Sequence, residues 1–185
     1  MVPVAFRFAT PDDSGAVGAL HAESWRRHYR GAYADAYLDG PVEEERRAVW
    51  SERLRQSPVT HFTVVAEDGG ELVGFAHTRF DADGQWGSLL DNLHVAFGRK
   101  RQGIGAGLLA RTAEQLVARR PGGGLYLWVL EQNTAAQAFY ASMGGTTVGR
   151  EIRGPFPGGG SAPALRIAWS DPAVLLDEKG GCGGA

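Results

Sequence analysis

The sequence predicts a mixed α/β fold, formed by a single domain over residues 1–170. The 185 residues suit one compact domain with a sizeable core. Strand-like and helix-like segments alternate along the chain, and three successive strand-like segments are joined by turn sequences typical of an antiparallel meander. Residues 171–185, which end in a glycine-rich run around Cys182, are predicted to form a flexible tail.

The first half of the chain is predicted to contain one strand, two helices and three further strands. Residues 4–8 are strand-like. The Thr10-Pro11-Asp12-Asp13 sequence predicts the start of a helix over 11–27, because it supplies an N-cap, a first-turn proline and an acid three residues after the cap. The spacing of apolar residues predicts a second helix over 41–56. The next strand-like segments are 62–67, 72–80 and 86–95.

The second half continues as helix, strand, helix and two strands. Residues 103–120 carry an apolar stripe at helical spacing and end at a Pro-Gly-Gly-Gly turn. The wholly apolar run 125–130 is typical of a strand buried on both faces. Asn133 then caps a predicted helix over 133–143. A final strand pair is predicted over 146–153 and 164–169.

Composition excludes several classes of protein. Lys and Arg number 19 against 21 Asp and Glu, a net charge of −2 that lacks the basic excess of a nonspecific nucleic-acid binder. No apolar run approaches the roughly 18–20 residues of a membrane span, and the N-terminus has no signal-peptide pattern, so we expect a cytoplasmic protein. The single cysteine, Cys182, permits neither an internal disulfide nor a cysteine-based metal site, and no metal is expected.

The glycine turn at residues 98–107 is the most informative segment. A predicted strand runs into this turn and a helix begins there, so free N–H groups and the positive end of the helix dipole converge where a phosphate could bind. The alternative is a tight turn with a solvated basic edge. Residues 105–110 formally match a dinucleotide fingerprint, but four polar residues precede Gly103 where that fingerprint needs a buried strand. A P-loop sequence is absent.

These residues resemble the GNAT superfamily of N-acetyltransferases. The Lys100-Arg101-Gln102-Gly103-Ile104-Gly105 segment is similar to the family's acetyl-CoA signature, (Q/R)-x-x-G-x-(G/A), with Lys100 in place of Arg or Gln. The family's second motif is resembled by Leu127-Trp128-Val129 followed by Asn133, Ala136, Phe139, Tyr140 and Gly144, with Gly145 in place of an aromatic residue. Residues 25–31 further resemble a bacterial branch that includes polyamine acetyltransferases.

The resemblance implies a fold and a cosubstrate. The fold is a mostly antiparallel sheet of six to seven strands, splayed between the fourth and fifth strands and flanked by about four helices. Acetyl-CoA would lie in that opening, its pantetheine arm on the backbone of residues 93 and 95 and its pyrophosphate on N–H groups of residues 101–106. The implied cofactor-binding set is Leu93, Val95, Lys100, Arg101, Gln102, Gly103, Ile104, Gly105, Ala106, Asn133, Ala136 and Tyr140.

Two side chains are candidates for catalysis. Tyr140 matches the family tyrosine that donates a proton to the CoA thiolate, and its alternative role is that of a core tyrosine. Asp91 is the candidate base or cation-binding group, because strand alternation predicts it on the same face as Leu93 and Val95. Its alternative is a structural hydrogen bond. Glu23, Glu67 and His94 are lesser candidates, and His94 is expected to pack on the opposite face from Asp91.

The acceptor site is expected between the first helices and the strand ends. Trp25, Tyr29, Tyr33 and Tyr37 could form an aromatic wall there, with Glu23 or Asp35 attracting an amine, unless these aromatics only pack the helices. The sequence thus predicts acetyl transfer to a primary amine of a small molecule by direct attack in a ternary complex. A protein N-terminus or lysine is the alternative acceptor, and a non-catalytic acyl-CoA sensor is the alternative class. Dimers are common in the family, so a homodimer is a possible assembly.

Overall fold

An open seven-stranded sheet forms the centre of the computed structural model, which describes residues 3–56, 59–156 and 159–176. The strand order is β1-β2-β3-β4-β5-β7-β6, and among these neighbours the β4–β5 pair is parallel. This architecture confirms the predicted fold class, including the antiparallel meander and the closing strand pair. The strands are β1 (Ala5–Phe8), β2 (His61–Asp68), β3 (Glu71–Asp83), β4 (Gly87–Val95), β5 (Leu125–Leu130), β6 (Thr146–Arg153) and β7 (Ala162–Trp169).

The described residues form five α-helices where about four were predicted. The additional helix is α2, a five-residue segment that begins after Ala34 without a side-chain cap. Such a short, uncapped helix gives no apolar period in the sequence. The 3₁₀ turn Pro11–Asp13 precedes the first helix, and Asp13 Oδ2 accepts the Thr10 N–H at 2.7 Å, as the predicted cap requires. The helices are α1 (Ser14–His28), α2 (Asp35–Asp39), α3 (Val42–Arg53), α4 (Ile104–Arg119) and α5 (Thr134–Ser142).

Helices cover both faces of the sheet. On one face, Leu108 and Leu109 of α4 are completely buried in the main core. On the other face, α1 and α3 pack over Val65 and Phe75, with the Trp50 side chain fully buried between them. Burying side chains of this size stabilises the fold by about 1.5–3 kcal/mol each. The half of the sheet that ends at β4 is therefore covered on both faces.

That separation occurs between β4 and β5. The two strands pair only at Ser88↔Leu125 and Leu89↔Tyr126, near the N-terminal end of each. Gly87 has a φ of +82°, and a Cβ there would lie 2.3 Å from the Gly124 carbonyl oxygen. The Ser88 N–H donates to the same oxygen at 2.9 Å. Two glycines thus bring the strands together at one end, and the cleft opens beyond them.

The packed chain extends past residue 170, where the sequence analysis ended the domain. Pro172–Leu175 is a 3₁₀ helix that begins with a cap in which Asp171 Oδ1 accepts the Ala173 N–H at 2.9 Å. Leu175 is 4% exposed and belongs to the main core. Cys182 and the rest of the predicted tail lie outside the described residues. None of the helices described is long and apolar enough to cross a bilayer.

The glycine contact at the strand junction gives a stability prediction. Gly87→Ala adds a methyl group against the Gly124 backbone at a left-handed φ, so we expect it to lower the free energy of unfolding by roughly 2–4 kcal/mol. Gly84→Ala, in the same hairpin, meets no atom within 4 Å and should change it by about 0.5 kcal/mol or less. Urea denaturation measures both, and equal losses in the two variants would contradict the prediction.

Candidate active site

The cleft between β4 and β5 is a cavity of about 650 Å³. Residues 90–95 of β4 form one wall and residues 127–130 of β5 the other. The turn before α4 and the first residues of α4 close one end, and α5 closes a side. Ser24, His28 and Tyr29, at the C-terminal end of α1, complete the lining. The volume suits a small-molecule ligand.

Most of the sequence-predicted cofactor and catalytic residues meet in this cavity. Gln102 does not line it: its side chain is exposed, and its Nε2 lies 3.5 Å from the Gly98 carbonyl oxygen. The predicted residues that do line it are Tyr29, Asp91, Leu93, Val95, Lys100, Arg101, Gly103, Ile104, Gly105, Ala106, Asn133, Ala136 and Tyr140.

The turn before α4 has the geometry of an anion site. Gly103 is the N-cap with a left-handed φ of +76° and makes no side-chain cap, so it leaves the first N–H groups of α4 for a ligand. A Cβ at Gly103 would meet no atom within 4 Å, whereas one at Gly105 would lie 3.1 Å from Phe139 Cζ. Lys100 Nζ is 3.0 Å from His28 Nε2, and this contact holds the Lys100 ammonium at the cavity wall.

Tyr140 projects from α5 into the same cavity and is 8% exposed. The Asn133 Oδ1 accepts the Ala136 N–H at 3.2 Å and caps the helix, which places Ala136 one turn before Tyr140. Burial raises the pKa of Tyr140, and the nearby Tyr29 adds to the shift. The phenol is therefore protonated at neutral pH and can donate to a group that becomes negative.

Tyr29 and Asp91 lie across from Tyr140. Burial raises the pKa of Tyr29 to about 12, and the Asp91 charge adds to the shift. Asp91 is itself ion-paired, because Arg53 Nη1 lies 3.1 Å from its Oδ2 and 3.2 Å from Asn92 Oδ1. The cavity thus combines two protonated phenols with a carboxylate whose charge is balanced.

The alternation argument for Asp91 is wrong. Asn92 pairs with His77 and Leu90 with Thr78, so Asp91 is the extra residue of a β-bulge and has no partner on β3. It therefore reaches the same Arg53 guanidinium as its neighbour Asn92 instead of following Leu93 and Val95. A bulge of this kind leaves no mark in the alternation of the sequence.

A buried histidine group lies beside the bulge. His94 contacts the ring of His21 at 4.8 Å, and the Ser24 hydroxyl lies 2.7 Å from His94 Nδ1. Burial lowers the pKa of His94 and of His77 to about 3, and lowers that of His21 well below its ordinary value. His94 is packed, but the bulge places it on the same side of the sheet as Asp91 and not on the opposite face as expected, and it also lines the cavity. These histidines are neutral at pH 7.

Comparison with known families identifies the chain. The acetyltransferase (GNAT) family matches over residues 22–144, about two thirds of the sequence. The chain belongs to the GNAT family. This confirms the sequence-based recognition and with it an acetyltransferase that uses acetyl-CoA as cosubstrate.

Known GNAT proteins resemble the chain in sequence and in fold. The uncharacterized N-acetyltransferase YuaI of Bacillus subtilis is 29% identical over 133 residues, 70% of this chain and 73% of its own length. A probable N-acetyltransferase of Mycobacterium tuberculosis is 29% identical over 140 residues, 74% and 76% of the two chains. The crystal structure of PaiA N-acetyltransferase from Thermoplasma acidophilum in complex with coenzyme A superposes with a TM-score of 0.70 at 20% identity, covering 91% and 100%. These matches do not single out the polyamine-type branch.

One departure from the GNAT motif has a packing explanation. A Cβ at Gly145, where the family has an aromatic residue, would lie 2.6 Å from Ile167 Cγ2 and 2.8 Å from Trp169 Cζ2. The Trp169 ring instead fills this space, meets Tyr140 edge-on at 6.2 Å and donates its Nε1–H to the Met143 carbonyl. The aromatic ring beside the last helix comes from β7 in this GNAT protein.

The expected aromatic wall contributes only Tyr29 to the cavity lining. Trp25, Tyr33 and Tyr37 are buried in a helix-packing cluster, in which Tyr33 stacks on Phe156 at 4.7 Å. The expected acids are ion-paired elsewhere. Glu23 pairs with Arg27, Asp35 with Arg30, and Glu67 with Arg7.

Several lining residues were missed by sequence reasoning. Ser24 and His28 were not named, although the first helix was expected beside the acceptor site, and Trp128 was quoted only as part of a motif. Arg53 was not considered because its partner is 38 residues away. Among the described residues there is no group of three metal-ligating side chains. The cytoplasmic location and the homodimer stay predictions.

The neutral histidines predict a stability that falls in acid. Their pKa is lower in the folded state than in the unfolded chain, so the unfolded state binds more protons below pH 6.5. The free energy of unfolding should fall by roughly 1 kcal/mol per pH unit for each histidine between pH 6.5 and about 4. His77→Gln should reduce this slope in urea titrations at several pH values. An unchanged slope in the variant would refute the assignment to His77.

Proposed function

We propose that the protein transfers the acetyl group of acetyl-CoA to a primary amine of a small molecule, by direct attack in a ternary complex. The observation that carries the proposal is the continuous cavity between β4 and β5, which joins the glycine turn of α4 to Tyr140, Tyr29 and Asp91. An anion site and a proton donor occupy different ends of one cleft. A donor held by its phosphates at one end can present its thioester at the other.

The cleft fits acetyl-CoA, which would supply an activated thioester. The N–H groups at residues 101–106 and the charges of Lys100 and Arg101 suit the pyrophosphate. The backbone of Leu93 and Val95 suits the amide groups of the arm, because β4 and β5 have already separated at these positions. Gln102 would contribute its backbone alone, since its side chain is exposed.

As the C–N bond forms and the C–S bond breaks, the nitrogen loses two protons, one before the attack and one as the amide forms. The departing sulfur gains one proton, so one is released to water. Tyr140 is the donor to sulfur, because its protonated phenol lines the cavity where the thiolate charge develops, and a proton from water then restores the phenol. Presenting a lysine-like amine in its neutral form at pH 7 costs about 4.6 kcal/mol, since its pKa is about 10.4.

Asp91 binds and orients the ammonium in this scheme, and water accepts its proton. The Arg53 guanidinium lies 3.1 Å from Asp91 Oδ2 and leaves the second carboxylate oxygen as a hydrogen-bond acceptor for the ammonium. Tyr29 interacts electrostatically with both Asp91 and Tyr140. Its phenol is therefore suited to hold the amine near the thioester.

The packing of the segment that follows Tyr29 favours a small molecule over a protein chain as acceptor. Tyr33 stacks on Phe156, so the segment after α1 is packed against the β6–β7 connection. Gln132 Nε2 donates to the Arg30 carbonyl at 3.0 Å and fixes that segment to the end of β5. An extended peptide would need these contacts to part, whereas a small amine would not.

The first experiment is titration calorimetry with acetyl-CoA, with CoA and NADH as comparators, followed by a thiol-release assay over small amines and peptides. Acetyl-CoA binding with release on small amines is the expected result. Thiol release with peptides alone would indicate a protein acceptor instead of a small molecule. Binding without release on any acceptor would favour a sensor, and binding of NADH alone would overturn the acetyltransferase proposal.

Tyr140→Phe tests the proton donor. We expect kcat to fall about a hundredfold or more, because the leaving sulfur loses its donor, while the Kd for acetyl-CoA changes by about twofold at most. Tyr37→Phe is the matched control, since Tyr37 is equally buried but lies outside the cavity lining. A Tyr140→Phe variant that keeps the kcat of the control would rule out this role.

A further inference from the structure

Aromatic rings and arginines form a cluster beside the paired ends of β4 and β5, on the sheet face opposite α4. Trp128 lines the cavity and pairs across the sheet with Arg166. The Arg166 Cζ lies 4.5 Å from the centre of the Trp128 ring, 5.3 Å from Trp86 and 5.8 Å from Tyr126. Arg153 also stacks on this group, with its Cζ 4.7 Å from the centre of the Trp128 ring. We call Arg153, Arg166, Trp86, Tyr126 and Trp128 the arginine cluster.

The arginine cluster carries more positive than negative charge. Arg166 Nη2 lies 3.3 Å from Glu151 Oε1, and Arg153 Nη1 lies 3.7 Å from Glu151 Oε2, so two guanidinium groups share one carboxylate. Arg166 is 81% buried in its side chain and its Nε makes no hydrogen bond within the described residues. The Arg166 guanidinium is therefore positioned by the rings, and Glu151 accepts a hydrogen bond from its Nη2.

The local charge balance argues against a polycationic acceptor. Asp91, the carboxylate nearest the reacting end of the cavity, is already neutralised by Arg53. A polyamine would bring further positive charge toward Arg153 and Arg166. The two acids nearby are already engaged, because Glu151 is shared by the two guanidinium groups and Asp83 accepts the Gln85 and Trp86 N–H groups. An amine that carries its own carboxylate would place opposite charges on both groups, with its ammonium at Asp91 and its carboxylate at the guanidinium groups.

We infer that the acceptor is a primary amine that bears a carboxylate, and that Arg166, assisted by Arg153, binds this carboxylate beside Trp128. The inference rests on the proposed function and narrows its substrate class. Arginine suits the task because its planar fork holds a carboxylate through two parallel hydrogen bonds. Stacking on the rings orients that fork before the acceptor arrives. Of the cluster's side chains, Trp128 is the one that lines the cavity, so the carboxylate of the acceptor would pass this ring to reach Arg166.

The test compares amines that differ only in the carboxylate. The matched pairs are lysine and cadaverine, phenylalanine and phenethylamine, and histidine and histamine, each assayed by thiol release with acetyl-CoA. We expect kcat/KM to be about tenfold or more higher for the carboxylated member of at least one pair. Arg166→Gln should raise KM for that member about tenfold and leave the decarboxylated member within about twofold. Arg166→Lys should restore part of the preference.

Arg150→Gln is the control variant. Arg150 belongs to the same strand pair but follows Gly149, the register partner of Arg166, so it lies on the opposite face, paired with Glu131 at 2.8 Å. Its KM values should match those of the unmodified protein. Thermal melting checks that each variant is folded. If Arg166→Gln does not fold, Arg153→Gln takes its place, with the same selective rise in KM expected.

A second readout separates this inference from the proposed function. The same pairs are titrated into CoA-loaded protein by calorimetry, which needs no turnover. Tighter binding of carboxylated members, lost in Arg166→Gln, supports the inference even if no amine releases thiol, a result that would defeat only the proposed function. Equal or tighter binding of the decarboxylated members, or an equal loss for both members in Arg166→Gln, overturns the inference.

Discussion

The close approach of Gly87 and Gly124 is the constraint on which the site depends. Backbone contact at this point brings two parallel strands together for two residue pairs, and nothing holds them together beyond it. The strands then expose main-chain groups that a sheet would ordinarily satisfy internally, and a ligand with amide groups can satisfy them instead. The cavity is thus a consequence of an interrupted sheet, with helices on both faces keeping the interruption rigid.

Charge compensation is the second theme of the structure. The Asp91 carboxylate meets Arg53, the histidines beside it are kept neutral by burial, and the phenols of Tyr29 and Tyr140 keep their protons. The reacting end of the cleft therefore has little net charge of its own. Cationic side chains lie further along the same sheet face, where Arg166 stacks on Trp128, and at the glycine turn, where Lys100 lies beside His28. Such an arrangement orients a ligand by its ends while leaving its reactive centre in a weak field.

Much of the fold and about half of the site could be predicted from the sequence. The glycine turn, the Asn133 cap and the four-residue spacing from Ala136 to Tyr140 are local patterns, so they give the anion end and the phenol directly. The Asp91 bulge could not be predicted, because it is a mismatch between two strands and changes no local period. The burial of Tyr33 involves a contact with Phe156, more than 120 residues away in the chain.

The aromatic ring beside Tyr140 comes from position 169 in this chain and not from position 145, which changes what supports the Tyr140 side chain. Where an aromatic residue follows the last helix directly, helix and support move as one local unit. Here the supporting indole is that of Trp169, which belongs to β7, the middle strand of the sheet's second half. It contacts the end of the helix by donating a hydrogen bond to the Met143 carbonyl. The Tyr140 phenol is consequently supported by the sheet itself, so the geometry of the strand that carries Arg166 and the position of this phenol are mechanically linked.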